Sequence, residues 1–239
     1  MEKFLQYISS FRPDFRSQIR GADPARISEL SILTGLQIPS PYQDFLSVMG
    51  VADAGFCLNH PARTALTEVL SYYAQLTLED RPKGLLLFAV DGYGVPDLGI
   101  VVDAAKGAPL SVYQWEDGQP WVLRSESFEK MLFQEAFARY RMRMDSPWIT
   151  LCQEGRKDAK PRVLELLELQ GFRSTWFSDS VMTCMEAENG TAYVSLLRNN
   201  TVFVRICATD LRWVENMSHY LIEVTGFRVN QTSPGLVPS

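Results

Sequence analysis

The sequence predicts an α+β protein: an N-terminal domain of helices packed on an antiparallel sheet, followed by a smaller C-terminal α+β domain. Two observations carry this expectation. Apolar residues in roughly the first 80 positions recur at helical spacing, and the period then switches to short β-rich runs parted by Gly, Asp and Pro. A second set of helix-like and strand-like runs begins after the turn Asp145-Ser146-Pro147. The expected domains are therefore 1–145 and 146–239, with a frayed tail from about 232.

The elements follow in order. The opening is helical from Phe4 to about Ile8, until Arg12-Pro13 interrupts it. Asp23 is the N-cap of a second helix, with Pro24 in its first turn and Gly35 closing it. Its apolar stripe is Ile27, Leu30 and Leu33. In "LQIPSPYQDFLSVMG", Ser40 caps and Pro41 opens a short helix that ends at Gly50. The run "NHPARTALTEVLSYYAQL" predicts a helix capped by Asn59 or His60, opened by Pro61, and buried along Leu66, Val69, Leu70, Tyr73 and Leu76. Next, "GLLLFAV", "LGIVV", "LSVYQW" and "PWVLR" read as an antiparallel meander. Ser125 is expected to cap the helix "FEKMLFQEAFARYRM".

In the second domain "WITLC" starts a strand, and "DAKPRVLELLELQG" is a helix with Asp158 near its cap and Gly171 at its close. Then "FRSTWFS", "VMTCMEA", "TAYVSLL" and "TVFVRICA" read as strands. Thr209 and Asp210 open a last helix bearing Leu211, Val214, Leu221 and Ile222, and "FRVNQ" returns as a strand.

Composition narrows the function. No apolar run approaches the roughly 18 residues of a membrane span. The N-terminal MEKFLQYISSFRPDF lacks the apolar stretch of a signal peptide, so a cytoplasmic location is expected. Cys57, Cys152, Cys184 and Cys207 are too scattered for a zinc site or a disulfide framework and read as free thiols. A net charge of −5 opposes general nucleic-acid binding. The acidity is uneven: between Glu79 and Asp117 stand seven acids and only three bases, Arg81, Lys83 and Lys106. A partner steered to that region would present a basic surface.

The stretch "FAVDGYGVPDLGIVVD" raises the question of a phosphate-binding loop. Such a loop needs a strand before it and a helix N-terminus after it, whereas Pro96 and "LGIVV" announce another strand, so a sheet corner is expected. Asp91, Asp97 and Asp103 fit no calcium-loop spacing. Cys57 and His60 lack a third orienting group, and His219 stands alone on a helix, so no catalytic set, cofactor or metal is expected. Arg139, Arg141 and Arg143 make a second candidate patch, which also suits the dipole at a helix C-terminus. Trp115 and Trp121 flank the acidic turn Glu116-Asp117, a pattern of interfaces and equally of an ordinary hairpin whose rings pack on its sheet.

Three segments carry a resemblance. Ile38, Pro39, Tyr42, Phe45, Leu46 and Gly50 form the first, and Phe88, Ala89, Asp91, Gly92 and Gly94 the second. Ser127, Phe128 and Glu129 form the third. In this order, over residues 23–140, the chain resembles the SUKH superfamily of bacterial immunity proteins and fungal regulators of cell-wall synthesis. The sequence departs from the family at Val48-Met49-Gly50-Val51, where an Asn-Gly or double glycine is common. The resemblance implies a non-catalytic immunity protein that binds a cognate toxin, often a nuclease, or alternatively a scaffold of cell-wall synthesis. The candidate toxin interface is Asp91, Tyr93, Asp97, Asp103, Trp115, Glu116, Asp117 and Trp121.

Overall fold

The computed structural model describes residues 1–56, 63–91, 96–102, 110–116, 121–142, 147–197 and 200–233. The fold is α+β and divides into two compact units, Met1–Leu132 and Phe133–Ser239. Among the described residues, no helix is long and apolar enough to cross a membrane.

The first unit opens with α1 (Glu2–Ser9), which buries Phe4, Leu5 and Ile8, and α2 (Phe15–Gln18). Phe4 and Phe15 both pack against Phe56, at 5.2 and 6.5 Å between ring centroids. A two-stranded pairing then joins β1 (Ile19–Arg20) to β2 (Ala52–Asp53), which the sequence did not announce. Between them run α3 (Pro24–Thr34) and α4 (Ser40–Met49). The Asp23 carboxylate accepts the Ala25 N–H at 2.7 Å, and Gly35 ends α3 in the left-handed region at φ 68°. Both are the capping roles expected of these residues. Gly21 has a different reason: a Cβ there would stand 1.9 Å from the Ser47 carbonyl oxygen of α4. Only glycine lets the chain approach α4 closely enough for Ala22 N–H to reach the Leu46 carbonyl at 2.8 Å.

Helix α5 spans Leu66–Gln75, with Leu66, Val69, Leu70 and Tyr73 buried. It begins later than Pro61, and residues 57–62 lie outside the described part. The start is delayed because Arg63 exchanges backbone hydrogen bonds with Val90 in an antiparallel bridge, which holds this segment extended. The meander is as expected: β3 (Leu85–Ala89), β4 (Asp97–Val101), β5 (Val112–Trp115) and β6 (Val122–Ser125) pair antiparallel in that order. A strand antiparallel to β3, and not a helix, therefore follows the Gly-rich stretch, while the residues of the expected corner itself, 92–95, lie outside the described part.

Helix α6 spans Phe128–Ala136. Ser127 rather than Ser125 caps it, accepting the Lys130 N–H at 3.3 Å. Ser125 is wholly buried in β6 and its hydroxyl donates to the Ser127 carbonyl instead. Tyr42 and Phe45 of α4, Phe88 of β3 and Phe128 of α6 gather in one buried cluster. Phe128 stands edge-on to the other three at 5.2 to 5.8 Å.

The unit division falls inside α6, thirteen residues before the expected boundary at Asp145. The reason is what residues 133–142 bury. Phe133 stacks on Phe177 at 5.5 Å, and Gln134 Nε2 donates to the Phe177 carbonyl at 3.0 Å. The Cys207 thiol donates to the Met142 carbonyl at 2.7 Å. A π-helical turn, Phe137–Arg141, lies in this stretch.

The second unit carries β7 (Trp148–Gln153), α7 (Ala159–Leu169), β8 (Arg173–Ser174), β9 (Met182–Ala187) and β10 (Gly190–Leu196). It is completed by β11 (Val202–Ala208), α8 (Leu211–Thr225) and β12 (Arg228–Thr232). Its sheet has the order β12-β7-β11-β10-β9-β8, antiparallel throughout. Helices α7 and α8 bury Val163, Leu167, Val214 and Leu221 against Ile149, Leu151, Ala192, Val194, Val204 and Ile206. Asp210 caps α8 by accepting the Arg212 N–H at 2.9 Å, and Gly226 closes it at φ 77°. Cys152, Cys184 and Cys207 are free thiols, and burial pushes the Cys184 thiol well up.

The aromatic cluster generates a paired expectation. Phe128→Ala should cost about 3–5 kcal/mol in urea unfolding, the cost of emptying a buried phenylalanine site. Tyr42 is wholly buried, and its hydroxyl has no hydrogen-bond partner among the described residues. Tyr42→Phe should therefore raise stability, by roughly 1 kcal/mol, because the desolvated hydroxyl is removed. A loss of stability in Tyr42→Phe would show that this hydroxyl is satisfied in solution.

Candidate interaction surface

Of the candidate residues, Asp97 lies on β4 and Trp115 on β5, and Trp121 immediately precedes β6. Cross-strand partners share a face, so the pairing of Asp97 with Trp115 places both on one side. Gly99 with Tyr113, and Tyr113 with Leu123, continue that side. Trp115, Tyr113 and Leu123 are half-buried, and Trp121 is 37% exposed with its ring 5.9 Å from Tyr113. Gly99 belongs to this row for a steric reason: a Cβ there would lie 2.4 Å from Leu85 Cγ, so Leu85 fills the space beside it.

Asp97 departs from the expectation. It is 5% exposed and is no member of an acidic rim. Its carboxylate accepts the Tyr72 hydroxyl at 2.6 Å and the Asp91 N–H at 3.0 Å. Burial pushes the Asp97 carboxyl above its usual value, and the nearby Asp91 charge adds to that push. The two hydrogen bonds act in the opposite direction and leave the net shift upward. Asp97 thus joins the corner after β3 to α5, as a structural acceptor.

The other candidates divide. Glu116 is exposed beside Trp115, and Asp91 is half-buried. Tyr93, Asp103 and Asp117 lie outside the described residues. Arg81, one of the three bases in the acidic stretch, is occupied structurally. It donates to the Leu33 carbonyl at 2.6 Å and to those of Tyr73 and Leu76, tying the ends of α3 and α5 together. In the second unit, Arg141 Nε donates to Glu186 at 2.7 Å, Arg139 is half-buried, and Arg143 lies outside the described residues. His219 is exposed on α8. No group of three or more His, Cys, Asp or Glu is placed to hold a metal ion among the described residues.

Sequence reasoning missed Tyr72 and Tyr113. Tyr113 was within reach of it, since alternation puts 113 and 115 on one face of a strand. Tyr72 was not, because its partner lies twenty-five residues away across the fold.

What results is a half-exposed aromatic face with a charged edge at Glu116. It can desolvate against a partner's apolar side chains while the acid meets a basic group at the rim. Compared with protein-family models, with curated proteins and with solved structures, the chain finds no match.

The Asp97 geometry has a measurable consequence. The folded state holds this proton more tightly than the unfolded chain does. The contribution of Asp97 to stability is therefore complete below the unfolded value and is lost as pH rises through the folded one. A carboxyl ¹³C titration should find Asp97 above the ordinary aspartate midpoint. Tyr72→Phe should move that midpoint further up, since it removes a hydrogen bond that favours the charged form. A midpoint unchanged by Tyr72→Phe would mean that the pair is not formed in solution.

Proposed function

We propose that this protein is an immunity protein of the SUKH type, which binds a cognate protein toxin in the cytoplasm and neutralises it by contact rather than by chemistry. The observation that supports the reading is the aromatic cluster. Its four rings, Tyr42, Phe45, Phe88 and Phe128, come from the three separate segments whose order resembles that family, and they pack on one another. The three segments thus contribute to one contiguous buried cluster.

The aromatic sheet face is the surface we assign to the toxin. Trp115, Tyr113 and Trp121 supply rigid area at low entropic cost, and Glu116 stands at the edge. A toxin with a basic cleft, such as a nuclease, fits the acidic balance of the chain. Rim charge governs mainly how fast the partners meet, and buried aromatic anchors govern mainly how long they stay.

The test is to identify the cognate toxin by co-purification, then to coexpress it with this protein and measure binding kinetics on the purified pair. Wild-type protein should restore growth and inhibit the toxin at one-to-one stoichiometry. Glu116→Lys should lower the association rate, more at low salt than at high salt. Trp115→Ala should raise the dissociation rate by about tenfold or more, as for an anchor worth 1.4 kcal/mol or above. Unchanged rates in both variants would move the interface off this face. Failure to inhibit the toxin would reject the immunity reading itself.

A further inference from the structure

The second unit presents another surface of different chemistry. Helices α7 and α8 cover one face of its sheet, where Ala192, Val194, Val204 and Ile206 are buried. The alternate residues of the same strands face the other way. Register places Tyr193, Arg205 and Thr150 in one row across β10, β11 and β7 on that second face. Ser195, Phe203, Cys152 and Arg228 form the next row, which extends to β12.

Arg205 is held in place from several directions. Its guanidinium carbon lies 4.5 Å from the centre of the Trp148 ring and 5.9 Å from that of Tyr193. Its Nε donates to Thr150 Oγ1 at 3.0 Å. Its two terminal nitrogens are not buried and carry no hydrogen bond or ion pair among the described residues. This leaves the outer edge of a planar donor fork open, on a side chain whose rotamer freedom is already spent. Arg228 is exposed one row away and has no ion pair among the described residues. It lines a cleft of about 300 Å³ with Cys152, Gln153, Glu154 and Gly226.

We infer that Arg205, with Arg228 as its second contact, is a carboxylate-binding site for an acidic segment of a protein partner. A carboxylate meets the free edge of a guanidinium with two parallel hydrogen bonds, which is the donor arrangement that Arg205 presents. The strands bearing the two arginines flank β7, and their partners on it, Thr150 and Cys152, are two residues apart. The two backbones therefore stand about 12 Å apart, between the roughly 7 Å and 14 Å that separate acidic side chains two and four residues apart on an extended peptide. Such a peptide reaches both. A nucleic-acid strand is the weaker fit, because two open arginines displace few counterions and the chain carries a net charge of −5. This surface takes a ligand opposite in charge to the partner assigned to the first unit, and it does not depend on that assignment.

The experiment uses the full-length protein and an acetylated peptide with Glu at alternate positions, Glu-Gly-Glu-Gly-Glu. The matching Gln peptide and an eight-nucleotide oligo-dT serve as comparators. In ¹⁵N spectra, the Arg205 Nε–H signal should shift with the Glu peptide and stay in place with the Gln peptide. Arg205→Lys keeps the charge and removes the fork, and it should weaken Glu-peptide binding about tenfold. No shift at saturating Glu peptide would overturn the inference. So would a folded Arg205→Lys variant of unchanged affinity, or oligo-dT that binds more tightly than the peptide. If Arg205→Lys does not fold, the wild-type Nε–H titration with the three ligands decides the matter.

Discussion

The first unit depends on a contact between four rings. Phe128 meets Tyr42, Phe45 and Phe88 edge-on, the arrangement that brings the positive edge of one aromatic to the negative faces of others. Each such pair contributes roughly 0.5–1.5 kcal/mol beyond area burial. The placement matters more than the sum. Tyr42 and Phe45 belong to α4, Phe88 to β3 and Phe128 to α6, so one cluster fixes two helices on the first strand of the meander. Helix α5 is attached separately, through Tyr73, whose hydroxyl accepts the Leu87 N–H at 2.7 Å, and through Tyr72 and Asp97. Burial raises the Tyr73 phenol to about 12, so it remains a neutral partner throughout the physiological range. With β3 and β4 engaged in this way, the half-buried side chains of the sheet are, apart from Val101 at the end of β4, those of β5 and β6.

That distribution changes how the surface works. An acidic stretch in a sequence suggests a charged patch, but a fold chooses which acids reach water. Asp97 is withdrawn to receive two hydrogen bonds, and Arg81 is withdrawn to satisfy helix-end carbonyls. The arginines of the second unit are sorted in the same manner. Arg141 is committed to Glu186, while Arg205 is clamped by neighbours that leave its donor edge open. Counting charges along the chain therefore gives the sign of a region and little about its use.

What was legible in the sequence was what neighbouring residues decide. Asp23 with Gly35, and Asp210, mark helix ends because a cap bonds to the backbone two residues away and a left-handed closing residue favours glycine. The meander was legible because its strands pair in sequence order with turn residues between them. The hidden features are those decided by distant partners. The start of α5 is set by Val90, twenty-seven residues on. The unit boundary is set by Phe133, Gln134 and Met142, which side with Phe177 and Cys207. The aromatic surface was half legible: Trp115 and Trp121 stood out by type, whereas Tyr72 and the burial of Asp97 follow from a contact that no local pattern encodes.

The strand order of the two sheets also dictates when each can assemble. In the first, every strand pairs with its immediate successor, so loops close over short stretches and the sheet zips forward as its residues become available. In the second, β7 at Trp148–Gln153 waits between β11 and β12, whose residues begin at Val202 and Arg228. Until those strands arrive, both edges of β7 offer unpaired backbone groups, and Ile149 and Leu151 lack the neighbours that will cover them. The later unit is thus the slower to form and the longer exposed to wrong pairing, which makes it the one for which a chaperone's protection would count most.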